Sequence, residues 1–205
     1  MSRYDATGNE AEYQPGGEPG VLRNRLALTR WQDIEDAETE LLDALYQQVL
    51  PRLWDKLTFA DIQHWHHQWL GNLYHWAGRL RTVNMSKGDF HFAAADQLPR
   101  LVSAFERDYL SQLAGLNTQP EDTVIRYLAQ SHVEFILIHP FREGNGRISR
   151  LLLDVMALQA GFQPLDYQLW EEHKDFYFKA IQAGVGGDCQ HVERLVRDVL
   201  AQQQN

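Results

Sequence analysis

The most informative segment of the sequence runs from His139 to Arg150 and reads HPFREGNGRISR. It lies between two segments whose apolar residues recur at helical spacing. Gly144 and Gly146 flank Asn145, and all three tolerate positive φ angles. The sequence therefore predicts a tight loop between two helices, with backbone N–H groups turned inward as an anion-binding nest.

The side chains of this loop suit a phosphorylated ligand. Arg147 and Arg150 are three residues apart, so both guanidinium groups can reach one polyphosphate. Glu143 supplies a hard oxygen ligand of the kind that Mg²⁺ uses alongside phosphate oxygens. His139 carries an imidazole, with an ordinary pKa of about 6.5, that can accept a proton near neutral pH. The following helix directs its N-terminal N–H groups to the same place.

Each of these features also has an ordinary structural explanation. A Gly-Asn-Gly segment between helices is usually only a turn, and two arginines at this spacing normally lie on a solvated face. A histidine before proline is more often a helix-end residue than a base, and Phe141 is expected in the core in either case. Base, metal ligand, nest and cations fall within one short loop, however, and this coincidence favours a catalytic site.

Outside this loop the sequence predicts mainly helices. The expected helical ranges are 31–50, 58–71 with Thr58 as N-cap, 98–113, 120–138, 148–160 capped by Gly161, 171–183 and 188–203. No repeat interrupts them. The predicted fold class is an all-α bundle.

The segment from Arg81 to Ala95 departs from helical spacing. Its central residues, Lys87-Gly88-Asp89, form a turn signal, and Phe90 and Phe92 alternate with polar residues. We predict a short β-hairpin. It is either a surface excursion or an edge that pairs with an extended segment of another protein.

Length and charge limit the class of protein. A chain of 205 residues with 44% hydrophobic residues suits one domain with a substantial core. We expect residues 1–20 to be a flexible leader and residues 21–205 a single domain, with its core at about 57–160 and C-terminal helices over 171–203. The net charge of −9 argues against direct binding of nucleic acid.

Targeting signals are not evident in the sequence. Residues 1–19 have neither the basic start nor the apolar run of a secretory signal, and no apolar run is long enough to span a bilayer. Cys189 is the only cysteine, so no internal disulfide is possible. We expect a soluble, cytoplasmic protein without membrane contact.

The stretch from His139 to Arg150 resembles the signature of Fic-domain proteins, the Fic/Doc family, at every defined position. The match comprises the histidine, the phenylalanine two residues on, an acid two further, Gly-Asn-Gly-Arg and a second arginine. Upstream, YHWAGRLR from Tyr74 to Arg81 resembles the family's lead-in to its β-hairpin flap. The resemblance covers roughly residues 57–160, and more loosely residues 21–24.

This resemblance implies a Fic-like helical bundle with one β-hairpin flap and an enzyme that transfers AMP from ATP to a Ser, Thr or Tyr hydroxyl of a target protein. It implies that His139 is the catalytic base and that Glu143 holds Mg²⁺. The implied phosphate-binding residues are Gly144, Asn145, Gly146, Arg147 and Arg150. Lys87 is a further candidate for nucleotide contact. Doc-type relatives, which phosphorylate, lack the second glycine, so Gly146 favours nucleotidyl transfer.

The resemblance also implies partners. The target protein would dock on the flap from Arg81 to Ala95. Many Fic proteins inhibit themselves through a helix marked by Ser or Thr followed four residues later by Glu, and no Ser or Thr here has that spacing. We therefore expect Arg150 to be free, unless a small antitoxin supplies the glutamate as in toxin–antitoxin relatives.

Other readings remain open at this stage. The same site could transfer UMP, GMP or phosphate, remove AMP, or bind nucleotide without catalysis. Four aromatic residues are candidates for an adenine pocket or for the core: Tyr167, Trp170, Phe176 and Tyr177. Four histidines are not expected to form a metal site, because only His64 and His67 share a helix face: His64, His66, His67 and His75.

Overall fold

The structure is a computed structural model that describes residues 12–203 and the backbone of Asp5–Ala6. In this part of the chain the helices are α1 (Trp31–Val49), α2 (Phe59–Leu70), α3 (Leu98–Asp108), α4 (Glu121–Ile138), α5 (Asn145–Gln159), α6 (Gln168–Glu172), α7 (Lys174–Ala183) and α8 (Gln190–Gln202). Short 3₁₀ segments lie at Ala95–Gln97, Leu110–Thr118 and Gly184–Gly186. The predicted all-α class is confirmed.

Helices α4 and α5 form the centre of the molecule. They pack against each other, and α4 also packs on α8. The run from Leu151 to Ala157 in α5 is buried throughout, because apolar residues there occupy every face of the helix. Since residues 139–144 connect α4 to α5, the predicted loop lies at one end of this buried pair.

Two of the predicted helix boundaries have the expected capping contacts. At the start of α2, Thr58 Oγ1 accepts a hydrogen bond from the Asp61 N–H at 3.4 Å, and the Thr58 N–H donates to the Asp61 carboxylate at 2.8 Å. After α5, Gly161 has a φ of 91°, and the Phe162 N–H donates to the Ala157 carbonyl at 3.0 Å. These local contacts end the helices where the sequence predicts.

Other boundaries differ from the prediction. The helix expected over 98–113 stops at Asp108 and gives way to a 3₁₀ segment. Leu110, Leu113 and Leu116 are all buried there, and their spacing of three residues matches the three-residue turn of a 3₁₀-helix. The helix expected over 171–183 begins at Gln168 and is divided at His173, whose φ of −110° and ψ of 41° are not helical.

The predicted hairpin is present, and its two strands are shorter than the predicted segment from Arg81 to Ala95. Strands β2 (Met85–Lys87) and β3 (Phe90–His91) pair antiparallel, with Ser86 opposite His91. Gly88 makes the turn with a φ of 56°. A strand that the sequence did not predict, β1 (Asp5–Ala6), pairs with the other side of β2.

The expected flexible leader is wrong from residue 12 onward. Tyr13 forms a β-bridge with Leu22, and the Gln14 N–H donates to the Val21 carbonyl at 2.8 Å. Asn24 is buried, and its backbone N–H donates to the Gln14 side chain at 3.2 Å. Apart from Asp5–Ala6, residues 1–11 lie outside the described residues. In the described part of the chain, no helix has the length and apolarity needed to cross a bilayer.

Gly144 has no room for a side chain. Its φ is 79°, and a Cβ atom built on it would lie 2.5 Å from Cζ3 of the Trp69 ring. Gly146 differs, because a Cβ atom there meets nothing within 4 Å. The first glycine is therefore needed for packing, and the second is not.

We predict that Gly144→Ala lowers the free energy of unfolding by at least about 2 kcal/mol, from the left-handed backbone and the clash with Trp69. Gly146→Ala is the matched control. It should leave that free energy unchanged or raise it by up to about 1 kcal/mol, since alanine is the better helix former. Urea unfolding measures both, and equal effects of the two substitutions would contradict this packing.

Three buried histidines are held neutral by their surroundings. Burial lowers the pKa of His66 to about 4 and the pKa values of His132 and His139 to about 3. The pKa of Asp154 shifts in the opposite direction, because burial of this carboxylic acid raises it to about 6. Near pH 5 the unfolded chain therefore binds three protons at the histidines that the folded chain does not, while the folded chain binds one more at Asp154.

We predict that the free energy of unfolding decreases as the pH is lowered below about 6.5, the pKa of histidine in the unfolded chain. A net excess of about two protons in the unfolded state gives a slope on the order of 2–3 kcal/mol per pH unit near pH 5. Urea unfolding at pH 7, 6 and 5 measures the slope. His132→Gln should lower it by the contribution of about one bound proton. A flat profile would show that these histidines are not buried as neutral groups.

Candidate active site

His139 lies at the end of α4 in an unusual backbone conformation. Its φ of 50° and ψ of 60° place it in the left-handed region, which is uncommon for residues other than glycine. The ring is 2% exposed and stacks on Phe92, with 3.7 Å between ring centroids. The fold thus holds the predicted base in one orientation beside the end of the hairpin.

The hydrogen bond of the imidazole sets its tautomer. Nδ1 lies 3.2 Å from the carbonyl oxygen of Ile136, which can only accept, so Nδ1 carries the hydrogen. In a neutral ring the basic lone pair is then on Nε2. Burial lowers the pKa of His139 to about 3, which keeps the ring neutral at physiological pH. The ring nitrogen that can accept a proton is therefore Nε2.

The shape of the loop depends on Asn145. Its Oδ1 accepts from the Phe141 N–H at 2.8 Å, and its Nδ2 donates to the Phe141 carbonyl at 2.7 Å. The side chain is fully buried and lies outside the lining of the site cavity. Its side chain thus closes the loop on itself, and its backbone begins α5.

A buried histidine braces the same loop from below. The His66 ring stacks on Phe141 at 4.0 Å, and its Nδ1 accepts from the Gly78 N–H at 2.8 Å. Its Nε2 therefore carries the hydrogen and donates to the Glu143 carbonyl at 3.0 Å. His66 connects the loop to the segment before the hairpin, which gives it a structural place. The described residues contain no group of three or more potential metal ligands.

The backbone from Gly144 to Gly146 differs in conformation from the predicted anion-binding nest. Of its three residues, only Gly144 has a positive φ, while Asn145 and Gly146 are already in the first turn of α5. The inward-facing N–H groups are therefore those of a helix N-terminus, which favours anions through its unsatisfied donors and its dipole. Gly146 lines the cavity and leaves this end open to a ligand.

Arg147 extends from the first turn of α5 between two carboxylates. Its Nη2 lies 2.7 Å from a carboxylate oxygen of Glu38 and 3.7 Å from one of Glu143. Both contacts are ion pairs, and neither has the alignment of a hydrogen bond. The guanidinium also lies over the Trp69 ring, 4.5 Å from its centroid. Glu38 is 2% exposed and accepts from the Tyr74 hydroxyl at 3.0 Å. Arg147 is thus held in place by a buried acid of α1.

Arg150 is not free, contrary to the expectation from the missing inhibitory motif. Its Nη1 lies 2.6 Å from the Glu171 carboxylate of α6, and Lys174 lies 3.4 Å from the same residue. The Tyr167 ring stands 5.1 Å from the Arg150 guanidinium. The second arginine is therefore paired with a glutamate that belongs to no recognisable inhibitory motif.

The remaining predicted residues also face this site. Glu143 lines the cavity, and its Oε1 accepts from the Gly144 N–H at 3.0 Å. Lys87 reaches across from the hairpin, with its Nζ 3.3 Å from the centroid of the Phe178 ring. The hairpin and α7 therefore approach each other over the cavity.

The cavity is large enough for a nucleotide, with a volume of about 730 Å³. Its polar wall comprises His139, Glu143, Arg147, Arg150, Lys87, Glu35, Glu171 and Lys174. Of the four aromatic candidates, only Tyr177 lines it. Trp170 is 1% exposed and belongs to the core, whereas Phe176 is 47% exposed at the surface.

Sequence reasoning missed Glu38 and Glu171, the carboxylates that pair with the two arginines. Both lie in segments far from the loop along the chain, and acids on a helix surface are usually solvated. Glu38 gave one usable signal, since it lies between Ile34 and Leu42 on the apolar side of α1. A charged residue among buried positions requires a partner.

Comparisons with known proteins agree with this architecture. The sequence model of the Fic/DOC family matches residues 56–157. A protein of Sinorhizobium fredii named probable protein adenylyltransferase y4lH is 27% identical over 200 residues, which cover 98% of this chain and 100% of the relative. The probable protein adenylyltransferase Fic of Escherichia coli K12 is 28% identical, with 98% of each chain covered.

Solved structures share the fold. The N-terminal Fic domain of a Bartonella effector protein from Bartonella sp. AR 15-3 superposes with a TM-score of 0.74 at 19% identity, over 94% of this chain and 95% of that one. BepC of Bartonella tribocorum, solved with bound AMPPNP, gives a TM-score of 0.72 at 18% identity, over 91% and 96% of the two chains. The motif at the α4–α5 junction, the relatives that match along nearly the whole chain and the shared fold together show that this chain belongs to the Fic/DOC family.

Proposed function

We propose that this protein transfers AMP from ATP to a hydroxyl group of a target protein. The observation that carries the proposal is one cavity in which a neutral imidazole, a helix N-terminus and two arginines face the same space. Two relatives that match along almost their whole length are named probable protein adenylyltransferases. Their names and this geometry agree.

The chemistry follows from the placement of these groups. The target hydroxyl loses its proton to Nε2 of His139 as its oxygen forms a bond to the α-phosphorus of ATP. The bond from that phosphorus to the bridging oxygen breaks, and pyrophosphate leaves with the bonding electrons. Phosphoryl-group transfer depends mainly on positioning and charge neutralisation, which the N-terminus of α5, Arg147 and Arg150 supply.

Glu143 is the residue that would hold Mg²⁺. Its carboxylate lines the cavity next to Gly144 and Arg147, and Mg²⁺ in nucleotide sites needs only one or two carboxylates besides phosphate oxygens and water. When bound, the ion neutralises negative charge on the phosphates.

Gly146 supports transfer of a nucleotidyl group. Its Cβ position is open, so packing does not require glycine there, and the residue lines the cavity beside the first turn of α5. Any side chain would project into the space next to the helix N-terminus. Glycine keeps this space available to the phosphates.

The target segment docks on the flap in this proposal. β2 is covered by β1 on one side and β3 on the other, so of the two hairpin strands only β3 has an edge with no partner strand in the described part of the chain. A segment added to a sheet edge is held by main-chain hydrogen bonds with little demand on its sequence. Phe92 follows β3 and stacks on His139, so a segment on this edge runs close to the base.

The labelled-nucleotide experiment tests the function directly. The purified chain is incubated with Mg²⁺ and a bacterial lysate, once with α-labelled ATP and once with γ-labelled ATP. We expect label on protein from the α-phosphate only. Label from the γ-phosphate would identify phosphoryl transfer, and no label from either nucleotide would remove the support for an enzyme. Mass spectrometry of the labelled protein identifies the added group.

We predict that His139→Ala lowers the transfer rate by at least about 100-fold, because a general base contributes about 10²- to 10⁴-fold. ATP binding should persist, since the phosphate-binding groups lie on α5. His75→Ala is the control, because His75 is exposed and lies outside the cavity lining. Normal labelling by the His139 variant would contradict the assignment of the base.

We predict that Glu171→Gln strengthens ATP binding about two- to fivefold, the range expected for loss of a partly exposed ion pair. The carboxylate competes with the terminal phosphates for Arg150. AMP lacks those phosphates, so its affinity should not change. In this proposal a residue of the chain itself, Glu171, contributes to inhibition of the enzyme.

Glu172→Gln is the matched control for this substitution. Glu172 lies on the same short helix, accepts from Gln168 at 2.7 Å and lies outside the cavity lining. Calorimetric titration with ATP and AMP separates the variants. Equal ATP affinities for Glu171→Gln and wild type would show that Glu171 does not compete with the ligand.

A further inference from the structure

Arg81 is a buried arginine that the reaction as described does not use. It is the first residue of the flap segment from Arg81 to Ala95, and it is 2% exposed. A charge removed from water in this way requires hydrogen-bond partners, and the Arg81 guanidinium donates to four backbone carbonyls. The carbonyls of Ile138 and His139 lie at the end of α4, and those of Val83 and Ala93 lie in the flap.

One group of contacts holds the end of α4. Arg81 Nε donates to the carbonyl of His139 at 2.7 Å, and Nη2 donates to that of Ile138 at 3.3 Å. The Arg81 backbone N–H donates to the carbonyl of Pro140 at 2.9 Å. Three consecutive peptide groups around the base are therefore bound to one residue. Such contacts stabilise the left-handed conformation of His139, which costs energy in isolation.

The other contacts hold both ends of the flap. Arg81 Nη1 donates to Val83, which precedes β2, and Nη2 donates to Ala93, which follows β3; both distances are 2.5 Å. The Ala93 N–H in turn donates to Leu137 in the last turn of α4 at 3.2 Å. The planar guanidinium directs its donors along several fixed directions, which a lysine ammonium cannot reproduce.

We propose that Arg81 is a positioning residue that sets the placement of the flap relative to the base, and hence of the target hydroxyl relative to Nε2 of His139. This inference rests on the proposed function, because the flap matters to catalysis only if it holds the target. Arg81 itself does not line the cavity, and its contact with the lining is through the backbone carbonyl of His139. Its effect should therefore fall on transfer to protein and not on nucleotide binding.

The charge of Arg81 provides a second readout. Burial has the largest effect on the pKa of His139, and the positive charges of Arg81, Lys87 and Arg142 lower it further, against the hydrogen bond to Ile136. Removal of the Arg81 charge should raise this pKa. The acidic limb of the pH profile for transfer then moves to higher pH in Arg81→Gln, whereas Arg81→Lys retains the charge and the limb.

The test compares Arg81→Lys and Arg81→Gln with Arg79→Lys and Arg79→Gln, since Arg79 is exposed two residues earlier. We expect both Arg81 variants to lose about 100-fold in the rate of AMP transfer, the scale of a displacement of about 1 Å at a reacting group. Their affinity for AMPPNP with Mg²⁺ should stay near that of the wild type. The Arg79 variants should behave as wild type in every assay.

Hydrogen exchange separates failure of this inference from failure of the proposed function. Flap amides from Met85 to Ala93 should exchange faster in both Arg81 variants, whether or not any protein is labelled. Unchanged flap exchange would overturn the positioning role, as would a parallel loss of AMPPNP affinity and transfer. Absence of transfer by the wild type, with faster flap exchange in the variants, would instead overturn the proposed function and leave the positioning of the flap by Arg81 intact.

Discussion

The site depends on the backbone groups left unpaired where α4 ends and α5 begins. A helix cannot satisfy its last carbonyls or its first N–H groups, and both ends here are buried at one junction. The carbonyls of Ile136 and Leu137 are paired by the His139 ring and by the Ala93 N–H. Gly144, Gly146 and Arg147, at the start of α5, line the cavity. Pairing the end of α4 therefore orients the His139 ring, and the start of α5 is left beside the candidate anion site.

The cations of the site are balanced before any ligand binds. Arg147 pairs with Glu38 and Arg150 with Glu171, and each side chain is about a fifth exposed. Arginines in such a setting would be costly without partners, because burial removes part of their hydration. The two acids differ in exposure. Glu38 is buried and fixed by Tyr74, whereas the Glu171 side chain is 48% exposed and can move away at lower cost. In the proposed function a triphosphate would meet one rigid arginine and one whose partner can move away.

The parts of the structure that were predicted correctly are those governed by neighbouring residues. The Thr58 capping box and the Gly161 helix end depend on contacts within a few residues, and both were predicted. The 3₁₀ segment at Leu110–Thr118 was missed because apolar spacing of three residues also fits an α-helix. The ordered segment from residue 12 was missed because its polar composition gives no sign of contacts such as the bridge between Tyr13 and Leu22.

Spacing along the chain gave the residue types of the site: a histidine, an acid, a Gly-Asn-Gly turn, and two arginines placed to share one face of a helix. These follow from bond geometry and from residues within one or two helical turns. The packing of distant segments settled what those groups contact and which glycine must turn. Glu38, Glu171, His66 and Arg81 reach the loop from other elements, and their contacts arise because buried charges and backbone groups must find partners wherever packing places them. No rule of spacing along the chain identifies such partners, since the choice is made among all segments that the core brings together.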